Sequence, residues 1–159
     1  MKRETLFLKF AVFFMALPMV ALCIFVIPAI SFGSADYYPE AEFLKYFVLV
    51  ALYLSALAFF AALYHSFRLL GYIDKNIAFS DLSVQALKRI KQCGILISII
   101  YVLLMPMIYL VAERDDAPGL ILVGAAIIFG ALVITFFAAV LQKLLQNAID
   151  IKSENDLTV

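Results

Sequence analysis

Four long apolar stretches set the limits on how this chain can fold. They cover residues 6–32, 43–70, 93–112 and 119–145 of a chain of 159 residues. An α-helix rises about 1.5 Å per residue and the hydrocarbon core of a bilayer is about 30 Å thick, so about 20 residues can span it. All of the stretches meet that length. Because lipid offers the backbone no hydrogen bonds, each stretch is predicted to be a transmembrane helix.

The composition agrees with an integral membrane protein of a single domain. Hydrophobic residues make up 66% of the chain, and a mean hydropathy of +1.06 lies far above that of soluble proteins. The 12 Lys and Arg residues balance the 12 Asp and Glu residues, so net charge predicts no direct nucleic-acid binding. We predict an all-α, four-transmembrane-helix bundle in one membrane domain, residues 1–159. Its predicted parts are helices at about 6–32, 43–70, 80–112 and 119–151 and a cytoplasmic tail at 152–159.

The first stretch also resembles a secretory signal peptide that would be cleaved after Ala35. The apolar region of a signal peptide is about 7 to 15 residues long, and this stretch is longer, which favours a retained helix. Pro18 and Pro28 each remove a backbone donor from that helix. A kink near Pro18 and an end near Pro28 are therefore expected.

The positions of the basic residues predict the orientation. Ten of the 12 fall on one side of the predicted membrane: Lys2, Arg3, Lys9, Arg68, Lys75, Lys88, Arg89, Lys91, Lys143 and Lys152. The opposite side has Lys45 and Arg114 among six acidic residues. Because cytoplasmic segments collect positive charge, both termini are predicted to be cytoplasmic.

The connection between the second and third stretches predicts a short amphipathic cytoplasmic helix that leads into helix three. Ser80 is placed to cap it with its side chain, and its apolar residues recur at helical spacing. Lys88, Arg89 and Lys91 lie largely on another face and are predicted to anchor it at lipid headgroups. A docking surface for a partner is the alternative. His65 and Arg68, three residues apart near the end of helix two, are predicted to be headgroup anchors rather than a catalytic or sensing pair.

The end of the chain predicts a cytoplasmic extension of helix four. Leu141, Leu144, Leu145, Ala148 and Ile149 continue its apolar pattern past the membrane boundary. This stripe needs a cover, which the loop helix, a second copy or another protein could supply. Residues 153–159 are expected to leave the helix as an extended end, although simple fraying is an alternative. The candidate partner-binding residues are Leu144, Leu145, Ala148, Ile149, Glu154, Asn155, Asp156, Leu157 and Val159.

Three features occur together in this chain: four predicted membrane helices in about 160 residues, the loop stretch IAFSDLSVQALKRI and the ending ENDLTV. In these features the whole chain resembles a bacterial family known as DUF2975, domain of unknown function 2975. The resemblance implies a multi-pass protein of the bacterial cytoplasmic (inner) membrane. Members of the family are often encoded beside a small helix-turn-helix regulator, which implies such a regulator as a partner.

Catalysis is not predicted, because no Asp, Glu, Lys, Arg or His lies near the middle of a span. The sequence likewise predicts no metal site and no cofactor. A transporter or channel subunit is the alternative, and Pro106 could break helix three as transporter helices are broken. We predict a non-enzymatic regulatory or sensory binding partner in the lipid bilayer. Small residues in the spans leave open whether copies of the chain also associate.

Overall fold

The computed structural model describes residues 2–29 and 43–157, with the backbone alone at residues 44 and 45. Helix α1 covers Lys2–Ala21 and continues through a π-helical turn, Leu22–Val26, to Ala29. Helix α2 covers Phe43–Asp74, α3 covers Asp81–Arg114 and α4 covers Gly119–Leu157. All four are long and apolar enough to cross a membrane, which confirms the all-helical, four-span prediction at that level.

Helix α1 passes through Pro18, and its irregularity lies one turn later in the π-helical segment. There the Ile27 amide donates to the carbonyl oxygen of Leu22, one residue further back than in an α-helix. The hydroxyl of Tyr53 in α2 donates to the carbonyl oxygen of Cys23 at 2.8 Å. This bond supplies a partner for a backbone group inside the irregular turn. The predicted end near Pro28 lies at the limit of the described residues, so it stays a prediction.

Helices α2 and α3 are each followed, two residues after their last residue, by a residue with left-handed backbone. Asn76 has φ 60° and Asp116 has φ 51°. After α2 the Ile77 amide donates to the carbonyl oxygen of Tyr72 at 2.9 Å, and after α3 the Ala117 amide donates to that of Ala112, also at 2.9 Å. Asn and Asp tolerate this conformation better than most residues, so they stop these helices where glycine usually does.

The side chain of Ser80 does not cap α3, so that prediction was wrong in detail. Ser80 has extended backbone at the N-cap position, and its carbonyl oxygen accepts the Ser83 amide at 3.1 Å. Its hydroxyl instead donates backward to the carbonyl oxygen of Ile77 at 2.6 Å. The serine hydroxyl therefore closes the loop before the helix and does not accept an amide of its first turn.

Helix α3 is one unbroken helix of 34 residues, and it contains both the amphipathic segment and the third span. Pro106 lies inside it without ending it, so the idea that Pro106 breaks this helix was wrong. Proline is tolerated in membrane helices when local adjustments and neighbouring groups satisfy the freed carbonyl.

The helices pack mainly on their neighbours in the chain, with α3 between α2 and α4. The core between α2 and α3 consists of Val48, Ile100 and Leu104, all buried. Helix α1 packs on α2 and leaves most of its surface exposed. In lipid an exposed leucine or phenylalanine has no hydrophobic penalty, so membrane helices need not close into a compact bundle.

Glycines allow the closest helix contact, which joins α3 to α4. A Cβ atom on Gly94 would collide with the hydroxyl of Thr135 and lie 3.2 Å from the carbonyl oxygen of Ala131. A Cβ on Gly124 would lie 3.0 Å from the sulfur of Met105. The two contacts show that α3 and α4 run antiparallel. Gly130, by contrast, has open space beside it.

Helix α4 continues to Leu157, so the predicted exit from the helix at residue 153 was wrong for residues 153–157. Thr158 and Val159 lie outside the described residues. Asn and Asp disfavour a helix by only a few tenths of a kcal/mol each. Because extending an existing helix needs no new nucleation step, this penalty is too small to end α4 at residue 153. The amide of Gln146 also donates to Asp150 at 3.1 Å and supports the helix one turn earlier.

Candidate functional site

The candidate site lies at the end of the structure where α1 begins, α2 ends, α3 begins and α4 ends. The Nζ of Lys9 donates to Oδ2 of Asp74 at 2.6 Å, which joins the start of α1 to the end of α2. The hydroxyl of Thr5 also donates to this carboxylate, and Thr5 is buried. One carboxylate at the end of α2 therefore holds two side chains of α1. We call this end of the molecule the basic end, because ten basic residues of the sequence fall on its helix termini.

Lys9 has a second partner in α2. Its Nζ lies 5.5 Å from the centre of the Phe67 ring, within the range of a cation–π interaction. The polar contacts with Asp74 and this aromatic contact fix the start of α1 on the last two turns of α2. They compensate for the small packed surface of α1 elsewhere.

Aromatic rings hold Arg68 on the surface of α2. Its guanidinium carbon lies 5.7 Å from the centre of the Tyr64 ring and 5.7 Å from that of Tyr72. Tyr64 precedes Arg68 by four residues and Tyr72 follows it by four, so the three side chains share one helix face. The ring of Tyr64 also contacts that of His65 edge-on, with 5.4 Å between the centres.

Helix α3 contributes further basic residues to the basic end. Arg89 and Lys88 are exposed, whereas Leu87 and Ile90 beside them are buried. The amphipathic pattern therefore turns Lys88 and Arg89 outward, whereas Lys91 is half-buried.

The predicted partner-binding stripe of α4 separates into two faces. Leu145, Ala148 and Ile149 are half-buried. Leu144 is 59% exposed, and Ile151, seven residues further on the same face, is 65% exposed. The antiparallel register set by Gly94 and Thr135 places the start of α3 beside the end of α4. The loop segment of the same chain therefore covers one face and leaves the other open.

Helix α4 is much longer than a membrane crossing requires. Its 39 residues correspond to about 58 Å, against a hydrocarbon core of about 30 Å. The stretch from Gly119 to the first basic residue, Lys143, is sufficient to span the core. The remaining residues, 144–157, correspond to about 20 Å of helix. We call this segment the α4 extension.

The structure brings some of the predicted site residues together and separates others. His65 and Arg68 lie on one face of α2. Lys88 and Arg89 are exposed near the start of α3, and Lys91 is half-buried. Glu154, Asn155, Asp156 and Leu157 are exposed on the last helical turn of α4, away from the membrane-spanning part. Val159 lies outside the described residues. Whether the basic residues anchor headgroups and whether α4 binds a partner both stay predictions.

Sequence reasoning missed the contacts of Thr5, Lys9 and Asp74. They are separated by 65 residues or more in the chain, and no local spacing indicates their pairing. The positions of Tyr64 and Tyr72 four residues to either side of Arg68 were a signal that could have identified the aromatic support. Within residues 2–29 and 43–157, no three His, Cys, Asp or Glu side chains form a group that could hold a metal ion. Cys23 and Cys93 are free thiols, both half-buried.

Comparisons with known proteins agree with a membrane protein. A family model described as "Protein of unknown function (DUF2975)" matches residues 29–159. A protein of Bacillus subtilis (strain 168), named "Uncharacterized membrane protein YoaS", is 56% identical over 158 residues, covering 99% of each chain. No solved structure matches.

Proposed function

This chain belongs to the DUF2975 family of proteins, and from that premise we propose that it is a non-enzymatic membrane partner of a small cytoplasmic helix-turn-helix regulator. The α4 extension would be the binding element. The proposal assumes that the basic end faces the cytoplasm, as the distribution of Lys and Arg favours.

The observation that carries the proposal is the exposed apolar face of the α4 extension. Leu144 is 59% exposed and Ile151 is 65% exposed. Beyond the hydrocarbon core these side chains face water, where exposed aliphatic groups are unfavourable. A protein that covers them would gain about 25 cal/mol for each Å² of apolar surface buried.

The form of this face suggests how a partner would bind. Leu144 and Ile151 are seven residues apart, so they lie on one side of the helix, with two turns between them. Such spacing suits a helix that lies in an apolar groove of its partner. A helix-turn-helix regulator is the partner implied by the setting of the family, and it is a small helical protein of the cytoplasm.

Regulation would follow if the structure has two states that differ in how the α4 extension is exposed. A regulator would be held at the membrane by one state and released by the other, and the difference in its affinity for the two states would set the response. Helix α4 joins the span directly to the exposed face, so a shift of the span would move that face.

Capture of the regulator from native membranes tests the proposal. The tagged protein should retain an identified helix-turn-helix protein, and Leu144→Asp or Ile151→Asp should reduce its recovery several-fold without loss of folding, since both positions are exposed. Ser153→Asp is the matched control, because it adds the same charge at an exposed position of the α4 extension on the side of the helix opposite Leu144. Equal recovery by all variants would contradict the proposal. Substrate-dependent flux in reconstituted vesicles would favour the transporter alternative instead.

A further inference from the structure

A groove runs along α1 on the side of this helix that faces away from α2. It has a volume of about 800 Å³, and its lining includes Arg3, Phe7, Phe10, Ala11, Phe14 and Pro18. The three phenylalanines follow Arg3 by four, seven and eleven residues, so the four side chains form one stripe of the helix. Thr5 and Lys9, which bond to Asp74 of α2, lie across the helix from this stripe. We call this feature the α1 groove.

One end of the α1 groove carries a cation that the protein itself does not neutralise. Arg3 is exposed, and within residues 2–29 and 43–157 its side chain forms no ion pair and no hydrogen bond. Lys9, the cation further along α1, is bonded to Asp74 on the other side of the helix. The N–H groups of Arg3 are therefore available for an oxyanion such as a phosphate, which a guanidinium binds through two parallel hydrogen bonds.

The length of the α1 groove matches one leaflet of a bilayer. Arg3 precedes Leu6, where the apolar stretch begins, by about 4.5 Å of helix. This distance places Arg3 in the headgroup region, which is about 5–7 Å thick on each side. From Arg3 to Pro18 the helix rises about 22 Å, and half of a bilayer with its headgroups measures about 20–22 Å. The α1 groove therefore reaches from the headgroups to the middle of the membrane.

The apolar part of the α1 groove has the form that an acyl chain requires. Phe7, Phe10 and Phe14 are exposed and form its walls, and Ala11, halfway along, leaves room between them because its side chain is a single methyl group. Contact with any lipid costs these side chains nothing, so hydrophobicity alone selects no lipid. Close fit along the walls and the charge at Arg3 are the features that distinguish one lipid from another.

We propose that the α1 groove binds one anionic phospholipid, with its phosphate at Arg3 and an acyl chain along Phe7, Phe10 and Phe14. A second copy of the chain fits the groove less well, because its helices would cross both leaflets and the groove covers only one. The site is separate from the apolar face of the α4 extension and does not depend on the function proposed for that face.

The first experiment tests the charge and measures retained lipid by native mass spectrometry. The full chain is released from nanodiscs that contain phosphatidylcholine with a minority of phosphatidylglycerol, which is anionic. We expect preferential retention of phosphatidylglycerol, and a loss of about fivefold in Arg3→Gln. Lys2→Gln is the matched control, because it removes the same charge from the neighbouring position, which does not line the α1 groove. This control should retain phosphatidylglycerol as the unaltered protein does.

The second experiment tests the shape of the groove by the same measurement. Ala11→Phe fills the middle of the α1 groove and should lower the retained phosphatidylglycerol several-fold, although every charge is kept. Ala125→Phe is the matched control, since Ala125 of α4 is also exposed and lies outside the groove. Because both alanines are exposed, both variants should fold, and equal helical circular dichroism checks this.

Three results would overturn the proposal. The first is that the unaltered protein does not prefer phosphatidylglycerol to phosphatidylcholine. The second is that Lys2→Gln loses as much phosphatidylglycerol as Arg3→Gln, which would show a general attraction to positive charge and no defined site. The third is that Ala11→Phe leaves lipid retention unchanged. If Ala11→Phe instead removes a dimer seen in the same spectra, the occupant of the α1 groove is a second copy of the chain.

Discussion

Gly94 of α3 lies directly against Thr135 of α4, so close that a methyl group at position 94 would overlap the threonine hydroxyl. That hydroxyl donates to the carbonyl oxygen of Ala131 at 2.7 Å, which fixes its position on α4. The hydroxyl of Ser98 donates back to the carbonyl oxygen of Gly94 at 2.8 Å. Small residues and internally bonded hydroxyls let these two helix backbones approach closely, as is common in membranes.

Gly94→Ala is expected to lower the free energy of unfolding by about 1–3 kcal/mol, because the added methyl group forces α3 and α4 apart. Denaturation of the purified protein in mixed micelles measures it. Gly130→Ala is the matched control: its site is open, so this change should be neutral or stabilising by about 0.5–1 kcal/mol. Equal effects at both positions would show that Gly94 is not a contact point.

The two faces of the α4 extension should respond differently to a charge. Ile149 is half-buried, so Ile149→Asp should destabilise the protein by about 2 kcal/mol through burial of an unpaired carboxylate. Leu144 is 59% exposed, and Leu144→Asp should change stability by less than about 0.5 kcal/mol. Thermal unfolding of both variants in the same detergent makes the comparison. If the order of the two effects is reversed, the assignment of inner and outer faces is wrong.

The bond from Tyr53 to the π-helical turn of α1 should contribute measurably to the packing of α1 on α2. Tyr53→Phe removes the donor to the Cys23 carbonyl oxygen and should cost about 0.6–1.7 kcal/mol, the range found for hydrogen bonds between membrane helices. Tyr109→Phe is the control, since Tyr109 is exposed and its hydroxyl bonds no described residue. Unfolding curves of the two variants should differ. An unchanged Tyr53→Phe curve would mean that water or lipid replaces this bond.

Cysteine labelling tests the orientation of the chain in the membrane. In a background where Cys23 and Cys93 are replaced by alanine, Ala117→Cys should react with a membrane-impermeant maleimide in intact cells. Ser153→Cys should react only after the membrane is opened, because the positive charges favour a cytoplasmic basic end. Labelling in the opposite order would place both termini outside and remove the basis for a cytoplasmic partner.

The four spans and their approximate limits could be predicted from the sequence, because bilayer thickness and backbone hydrogen bonding act on each stretch separately. Charge positions likewise indicated which loops lie together at one end. The least accurate limits were those of the helix ends. Local propensity at Asn155 and Asp156 favoured an extended end, yet α4 continues through them to Leu157.

Only the tertiary structure decided which face of each helix meets another. Gly94 and Gly130 are both glycines inside an apolar helix. Gly94 lies against Thr135, whereas Gly130 has open space beside it. The pairing of Lys9 with Asp74 also depends on how the helices are arranged. An apolar side chain gains little free energy when it moves from contact with lipid to contact with another helix. Hydropathy therefore carries almost no information about which residues form these contacts. Close fit and polar bonding determine them, and both require the positions of two helices at once.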